Sequence, residues 1–384
     1  MTAAICSLDL ARVRRARIAK LHAAMRNAGA GTLVLCGQAN VSYACGARVP
    51  AADHMRAASW RNVALLRADE PWPQLFTAFP EGVAAEHPPE FIHAALDVES
   101  ADGASALCRQ IGPGTIALDD ASFPLWHALA PRAPIDASVV LGPSKMCKTD
   151  DELECIRQAQ AINEQAIEQV RPHAVPGARA TDLSGAFLRA VHELGATANT
   201  VDPVFQVMPR AIADGPFSVT GEVVYPLPTR PRVLEAGDVM WVDTGINLHG
   251  YASDFGATWI IGGDQPSWAR EQFDRWRACV DRALARVRPG ATAHDLVDAA
   301  MIDGSRPWLS YLYLAHGVGT DSAEMPFIGT DLGEDFDVSL VLAPGMVLVF
   351  EPVIWDDGVC GHRSEEIVAV TDAGYRPLSE RAEL

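Results

Sequence analysis

Apolar residues recur along this chain with two different periods, and the changes between them mark out its elements. From Met1 to about Asn27 the spacing is helical, and Gly31 to Cys36 is the short unbroken apolar run of a buried strand. Short apolar runs and helical stretches then alternate to about Val140, the pattern of a small α/β domain. The strand-like run from Ala137 to Leu141 ends at Gly142-Pro143, a pair that interrupts regular structure, so the chain divides into 1–142 and 143–384. A new helix opens at Thr149-Asp150-Asp151-Glu152, a capping box in which the two end side chains satisfy each other's backbone amides. Leu153, Ile156, Ala159, Ala166 and Val170 form its apolar face, and Pro172 ends it. Leu183, Phe187, Ala190, Val191 and Leu194 mark a second helix, and Phe273, Trp276, Val280, Ala283 and Val287 a third that Pro289-Gly290 terminates. These stripes are read as core, without a function of their own.

Strands dominate between and after those helices. Gly237-Asp238 is a turn signal, Val239 to Val242 is an apolar run of strand type, and Asp243 falls where the strand leaves the interior. Asp254 follows eleven residues later, across a turn from Asn247 to Gly250 that would fold the two carboxylates side by side. The same order recurs in Ala343 to Pro352: a glycine turn, an apolar strand, and Glu351 six residues after Gly345, as Asp243 lies six after Gly237. A second turn at Asp356-Asp357-Gly358 then leads to Ser364-Glu365-Glu366 and the strand Ile367 to Val370. Pro176 to Leu183 and Pro289 to Leu296 also match over most of their length, each just before a helical pattern. Such self-similarity is the mark of a duplicated unit. Two half-domains related by a pseudo-twofold would gather both carboxylate pairs at one cleft.

Composition narrows the picture. With 384 residues, 49% of them hydrophobic, the chain can bury two cores. A net charge of -18 argues against nucleic acid or an anionic membrane as partner, since both require a basic patch. The eight cysteines have no CxxC spacing, so reduced thiols in a cytoplasmic protein are expected. The first twenty residues carry Arg12, Arg14, Arg15 and Arg17 without an apolar core of the signal-peptide kind, and no run is long enough to span a membrane.

Carboxylates held that close repel unless something positive lies between them, and a divalent metal is the usual solution. His316, in Leu314-Ala315-His316-Gly317-Val318-Gly319, lies between the two carboxylate hairpins beside glycines that permit close backbone approach. It is the candidate fifth ligand. Oxygen-rich sets with one imidazole suit manganese, cobalt, iron or zinc in a two-metal centre rather than a closed structural zinc site.

The segments VDTG at Asp243, SDFGATW at Asp254, HGVG at His316, FEP at Glu351 and RSEEIVAVTDAG at Glu365 together resemble the pita-bread metallopeptidases: methionine aminopeptidase, aminopeptidase P, prolidase and their non-metal relative creatinase. The resemblance covers nearly the whole chain, and Asn40 to Gly46 is similar to a segment of the amino-terminal domain of aminopeptidase P, prolidase and creatinase. It implies an α+β architecture, with a C-terminal pita-bread domain preceded by a smaller creatinase-like α/β domain, and a homodimer. It further implies two divalent ions, with Asp243 chelating one, Asp254 and Glu365 bridging, and His316 and Glu351 completing the other. Two such ions would hold a water or hydroxide between them and polarise a substrate carbonyl. Glu351 is then the proton shuttle, and Arg363 orients Glu365 or binds substrate. The implied activity is that of an Xaa-Pro dipeptidase or aminopeptidase cleaving an amide bond.

Two positions depart from the proline-specific pattern. The histidine of the segment HGxGxxxHExP is Ala323 here, although Glu324 and Pro326 are kept, and Tyr225 stands where a second histidine precedes the first aspartate ligand. Tyr225 and Glu324 are the implied substrate contacts. The missing histidines would otherwise stabilise the tetrahedral intermediate, so two alternatives stay open. One is a divergent member acting on another small molecule, as a creatinase-like C–N hydrolase or a dimethylsulfoniopropionate-lyase-like enzyme, with Asp321, Tyr225 or Tyr251 as acid or base. The other is a binding module without catalysis, which the full ligand set disfavours.

Overall fold

A computed structural model of the chain describes residues 8–47, 61–196, 198–211, 231–263, 265–309, 312–330 and 332–383, and Tyr225 lies outside them. The chain divides into two compact units, Leu8–Lys145 and, in its C-terminal part, Met146–Leu384. In the first, a six-stranded mixed sheet runs in the order 92–94, 74–77, 63–67, 30–35, 115–118, 135–136. Its central strand, Ala30–Leu35, shows why the apolar run there is unbroken. Leu33 and Leu35 join a core with Leu21, Met25 and Tyr43, whereas Val34 joins another with Leu107, Leu125 and Leu129. Alternate side chains point to opposite faces of a strand, so both faces are covered and neither needs polar residues.

The segment Ala137 to Leu141 corrects the sequence expectation. It is not a strand but part of a helix, Ser138–Met146, and Pro143 lies inside it. Ala137, Val140, Leu141 and Ser144 are buried at helical spacing, and that burial outweighs the β-preference of Val139 and Val140.

The C-terminal unit holds two cores of similar build. One packs the helices Asp150–Val170 and Ala180–Glu193 on strands Val204–Val207, Val239–Thr244 and Phe255–Ile260. The other packs Ser267–Leu284 and Ala293–Ala300 on strands Ala315–Gly317, Val347–Phe350 and Glu366–Val370. The matching sequence segments make matching backbone bonds. The amides of Gly177 and Ala180 donate to Leu234 and Arg232, and that of Leu234 to Ala178; those of Gly290 and Ala293 donate to Leu342 and Leu340, and that of Leu342 to Ala291.

The helix Asp150–Val170 does more than supply an apolar face. Asn163, fully buried, donates from Nδ2 to the Thr244 carbonyl (2.8 Å) and to Ser253 Oγ (3.0 Å), and accepts from Thr244 Oγ1 (2.9 Å). Thr244 and Ser253 adjoin Asp243 and Asp254 in the chain. One turn earlier, Gln160 Oε1 accepts from the Asp254 amide at 3.1 Å. One helix therefore fixes the backbone on both sides of the hairpin. Replacing Asn163 by alanine strands buried polar groups, each costing about 1–3 kcal/mol. Asn163→Ala is accordingly expected to lower the thermal unfolding midpoint by several degrees, whereas an exposed substitution on the same helix, such as Glu168→Ala, leaves it within about one degree; differential scanning calorimetry would read both.

Candidate metal centre

Asp243 is on the strand Val239–Thr244, and the antiparallel partner strand places Gly256 directly opposite it. The hairpin between them turns through His249 and Gly250, both at positive φ (58° and 85°), with Leu248 paired to Tyr251. Such a two-residue turn matches the twist of its flanking strands. It returns the chain so that Asp254 lies near Asp243, as the sequence predicts. In the other half, Glu351 follows the strand Val347–Phe350, a hairpin of Ile354–Asp356 and Cys360–His362 intervenes, and Glu365 precedes Ile367 with Glu366 opposite Phe350. His316 is on the neighbouring strand, paired with Val349.

Those elements bring five side chains together. Asp254, His316 and Glu351 form one group of potential ligands and Asp243, Asp254 and Glu365 another, each with its ligand atoms within 4.8 Å of one another. Asp254 belongs to both. His316 Nε2 lies 2.7 Å from Glu351 Oε1 and 3.3 Å from Asp254 Oδ2, while its Nδ1 is 2.8 Å from the Gly317 carbonyl. That carbonyl engages Nδ1–H and turns Nε2 towards the carboxylates, the arrangement by which a ligating histidine is oriented.

Arg363 provides the positive charge within the group. Its Nη1 lies 2.9 Å from Asp243 Oδ2, and its other nitrogens donate to Glu351 and Glu365. Its own backbone is clamped by Thr258, whose Oγ1 donates to the Arg363 carbonyl (2.7 Å) and accepts from the Arg363 amide (2.9 Å). The Glu365 amide donates to the Gly256 carbonyl at 3.1 Å. The two hairpins are thus stitched to each other where the ligands lie. Gly256 is required for this approach, because a Cβ there would stand 2.3 Å from Glu365 Oε1. Gly317 serves likewise, since a Cβ on it would meet the Met325 carbonyl oxygen at 2.4 Å.

Protonation reflects the crowding. Burial, aided by the charge of Asp254, holds the Glu365 carboxyl well above the usual carboxylate range. Burial also raises Asp254, against its hydrogen bond from His316. Glu351 goes the other way: burial opposes ionisation, but Arg363 and the His316 hydrogen bond together push its pKa down. Burial would lower His316, yet the hydrogen bonds to Asp254 and Glu351 carry it up to about 10. Arg363 cannot neutralise all four carboxylates, and Glu365 Oε2 is buried without a hydrogen-bond partner. An orphaned buried carboxylate oxygen in such a set is what a cation would satisfy, so the residues present fit a divalent metal centre.

A cavity of about 330 Å³ opens onto this group, lined by Asp243, Asp254, His316, Glu351 and Arg363 together with Val201, Asp202, Val204, Trp241, Leu312, Tyr313, Ser322, Ala323 and Val353. Ala323 is therefore in the wall, presenting a methyl where the sequence pattern expects an imidazole. Glu324, expected as a substrate contact, is not among the lining residues. Its Oε1 accepts from Lys148 Nζ at 2.7 Å in a buried ion pair, which braces the loop beside Gly319. Tyr251 is likewise turned away, its hydroxyl donating to Glu152 Oε1 at 2.8 Å. Among residues the sequence did not single out, Tyr313 packs edge-on against His316 with ring centroids 5.0 Å apart. Asn163 and Gln160 were hidden for another reason. Their only sequence signal is a polar residue on the buried face of an apolar helix, which by itself does not distinguish a brace from a surface position.

Comparison with known proteins agrees with this geometry. The model of metallopeptidase family M24 matches residues 154–372. A probable dipeptidase PepE of Mycobacterium tuberculosis is 30% identical over 257 residues, 66% of this chain and 63% of that protein, so the match spans under two thirds of the relative's length. An Xaa-Pro dipeptidase of Pyrococcus furiosus is 27% identical over 244 residues, covering 63% of this chain and 65% of the relative. The crystal structure of dipeptidase PepE from Mycobacterium ulcerans superposes with a TM-score of 0.73 at 25% identity, covering 97% of both chains. With five ligand-type side chains converging in the segment that the family model matches, the chain belongs to metallopeptidase family M24.

Proposed function

We propose that this protein is a metal-dependent peptidase of the Xaa-Pro dipeptidase or aminopeptidase type, with two divalent cations held by Asp243, Asp254, His316, Glu351 and Glu365. The observation that carries the reading is the pair of ligand groups sharing Asp254 at the floor of a cavity. Manganese, cobalt, iron or zinc would suit one imidazole among four carboxylates. Bound cations there would supply Lewis acidity, polarising the scissile carbonyl and acidifying water.

The chain's own residues do the rest. Glu351, kept ionised by Arg363, is placed to accept a proton from the attacking water and return it to the leaving nitrogen. Arg363 is a positioning residue, holding Asp243, Glu351 and Glu365 in mutual register. Trp241, Val204 and Val353 give the cavity an apolar wall that excludes water and takes up a substrate side chain.

The same reading extends to the rest of the chain. The matching backbone bonds of the two cores support a pseudo-twofold duplication of the C-terminal domain, preceded by a creatinase-like domain over residues 1–142. We further infer a homodimer in the cytoplasm, a compartment that keeps thiols reduced, and no disulfide joins the seven described cysteines. Among the described residues no helix is long and apolar enough to cross a membrane.

One observation favours a second reading. The methyl of Ala323 in the cavity wall can donate no hydrogen bond to an oxyanion, so hydrolysis of a different small molecule, or a lyase reaction, is the alternative. A substrate panel on manganese- or cobalt-loaded protein separates the two: Xaa-Pro dipeptides, Xaa-Pro-Yaa tripeptides, creatine and dimethylsulfoniopropionate. The peptidase reading expects turnover of the peptides, raised by Ala323→His. Turnover of a non-peptide with none of the peptides would overturn it.

Two variants probe the site itself. Glu351→Gln should reduce kcat on any accepted peptide by at least about a hundredfold, as expected for loss of a general acid–base group, with the circular dichroism spectrum unchanged. Gly256→Ala should drive Glu365 out of position and lower the bound-metal content measured by plasma mass spectrometry, while Gly185→Ala, at an open helix position, should not.

A further inference from the structure

The cavity contains one carboxylate that the metal centre does not use. Asp202 lines the wall, is solvent-exposed, and among the described residues makes no hydrogen bond or ion pair. Its surroundings do not explain a charge. Val201, Val204, Leu312 and Val353, which line the same cavity, are apolar, and Trp241 and Tyr313 present aromatic rings. Among the described lining residues the cations are Arg363, shared among Asp243, Glu351 and Glu365, and His316, held by Asp254 and Glu351. Among the described residues Asp202 has no partner to neutralise it.

Its position is fixed. Pro203, which follows it, confines Asp202 to extended backbone, and the Pro203 carbonyl is anchored by Ser184 Oγ at 3.3 Å. Val204 pairs directly with the metal-ligand position Asp243. Asp202 precedes that strand, two residues before Val204, or about 7 Å at the rise of extended chain. That offset is about two residues of an extended peptide, a gap that one lysine or arginine side chain spans.

We propose that Asp202 selects substrates carrying a positive charge at the end of a long side chain next to the reacting carbonyl. A basic side chain next to the scissile amide fits this, with its methylenes along the valines and its charge over the aromatic rings and against the carboxylate. The proposal rests on the peptidase reading for its choice of substrate, but the charge recognition is measurable without turnover. A substrate ending in a free carboxylate at that place meets like charge instead. Asp202 is a specificity residue, acting on binding and not on the chemical step.

Arg-Pro and citrulline-Pro form a matched pair that differs in charge and little in shape. On metal-loaded protein at low ionic strength, kcat/KM for Arg-Pro should exceed that for citrulline-Pro by about three- to fivefold, the range of a partly exposed ion pair. The ratio should fall towards one at high salt. Asp202→Asn should bring it to about one, Asp202→Glu should restore it, and Asp202→Lys should invert it in favour of Glu-Pro. Calorimetric binding of lysinamide against norleucinamide provides an arm that needs no catalysis, and a tetramethylammonium arm tests whether any small cation suffices. If no peptide is turned over, the peptidase reading fails while the binding arm still decides the role of Asp202. Equal binding of lysinamide and norleucinamide to wild type, or a preference that survives Asp202→Asn, would overturn the proposal. A preference lost in Asp202→Asn and reversed in Asp202→Lys would establish it.

Discussion

Four carboxylates held against one guanidinium are the constraint on which the C-terminal unit depends. Asp254, Glu351 and Glu365 are buried with Asp243 half-buried beside them, and Arg363 can compensate only part of their charge. Buried like charges at such separations cost several kcal/mol unless fixed and neutralised. The surrounding structure is arranged to bear that cost. Thr258 locks the Arg363 backbone from both sides, Gly256 gives way to Glu365, and the Gly317 carbonyl turns the His316 ring. Asn163 and Gln160 hold the backbone flanking Asp243 and Asp254. A bound cation would complete an arrangement that the protein alone leaves short of positive charge.

The cavity follows from the same geometry. Strands that end at the ligands leave their last side chains as its floor, and residues just beyond the strand ends, such as Asp202 and Ala323, become its walls. Ligands and walls are therefore under different demands. The ligand set must be kept whole for the cluster to be tolerable at all, whereas a wall residue can change without disturbing the charge balance. The retention of all five ligand types beside an alanine at position 323 has that physical explanation.

Much of this was legible in the residues, and the exceptions share a cause. Asp243, Asp254, Glu351 and Glu365 each follow or precede an apolar strand at a turn, so local pattern alone places them at strand ends. His316 is marked by glycines whose need the close approach to Met325 explains. Long-range pairing leaves no such local trace. Glu324 belongs to a motif that suggested a substrate contact, but its partner Lys148 is 176 residues away, and the ion pair takes the side chain out of the cavity. Asn163 sits among apolar residues on one helix, and only the distant Thr244 and Ser253 reveal its role. The segment Ala137 to Leu141 reads as a strand because of Val139 and Val140, and burial of Ala137, Val140, Leu141 and Ser144 makes it helical.

The account stands on the claim that the carboxylate group exists to hold two cations. Titration of metal-free protein with Mn²⁺, followed by calorimetry and by plasma mass spectrometry after desalting, tests this most directly. The account predicts about two ions per chain in the wild type and a substantial loss in Asp254→Ala, since Asp254 is common to both ligand groups. Stoichiometry near zero in wild-type protein supplied with excess metal, with the fold intact by circular dichroism, would contradict it.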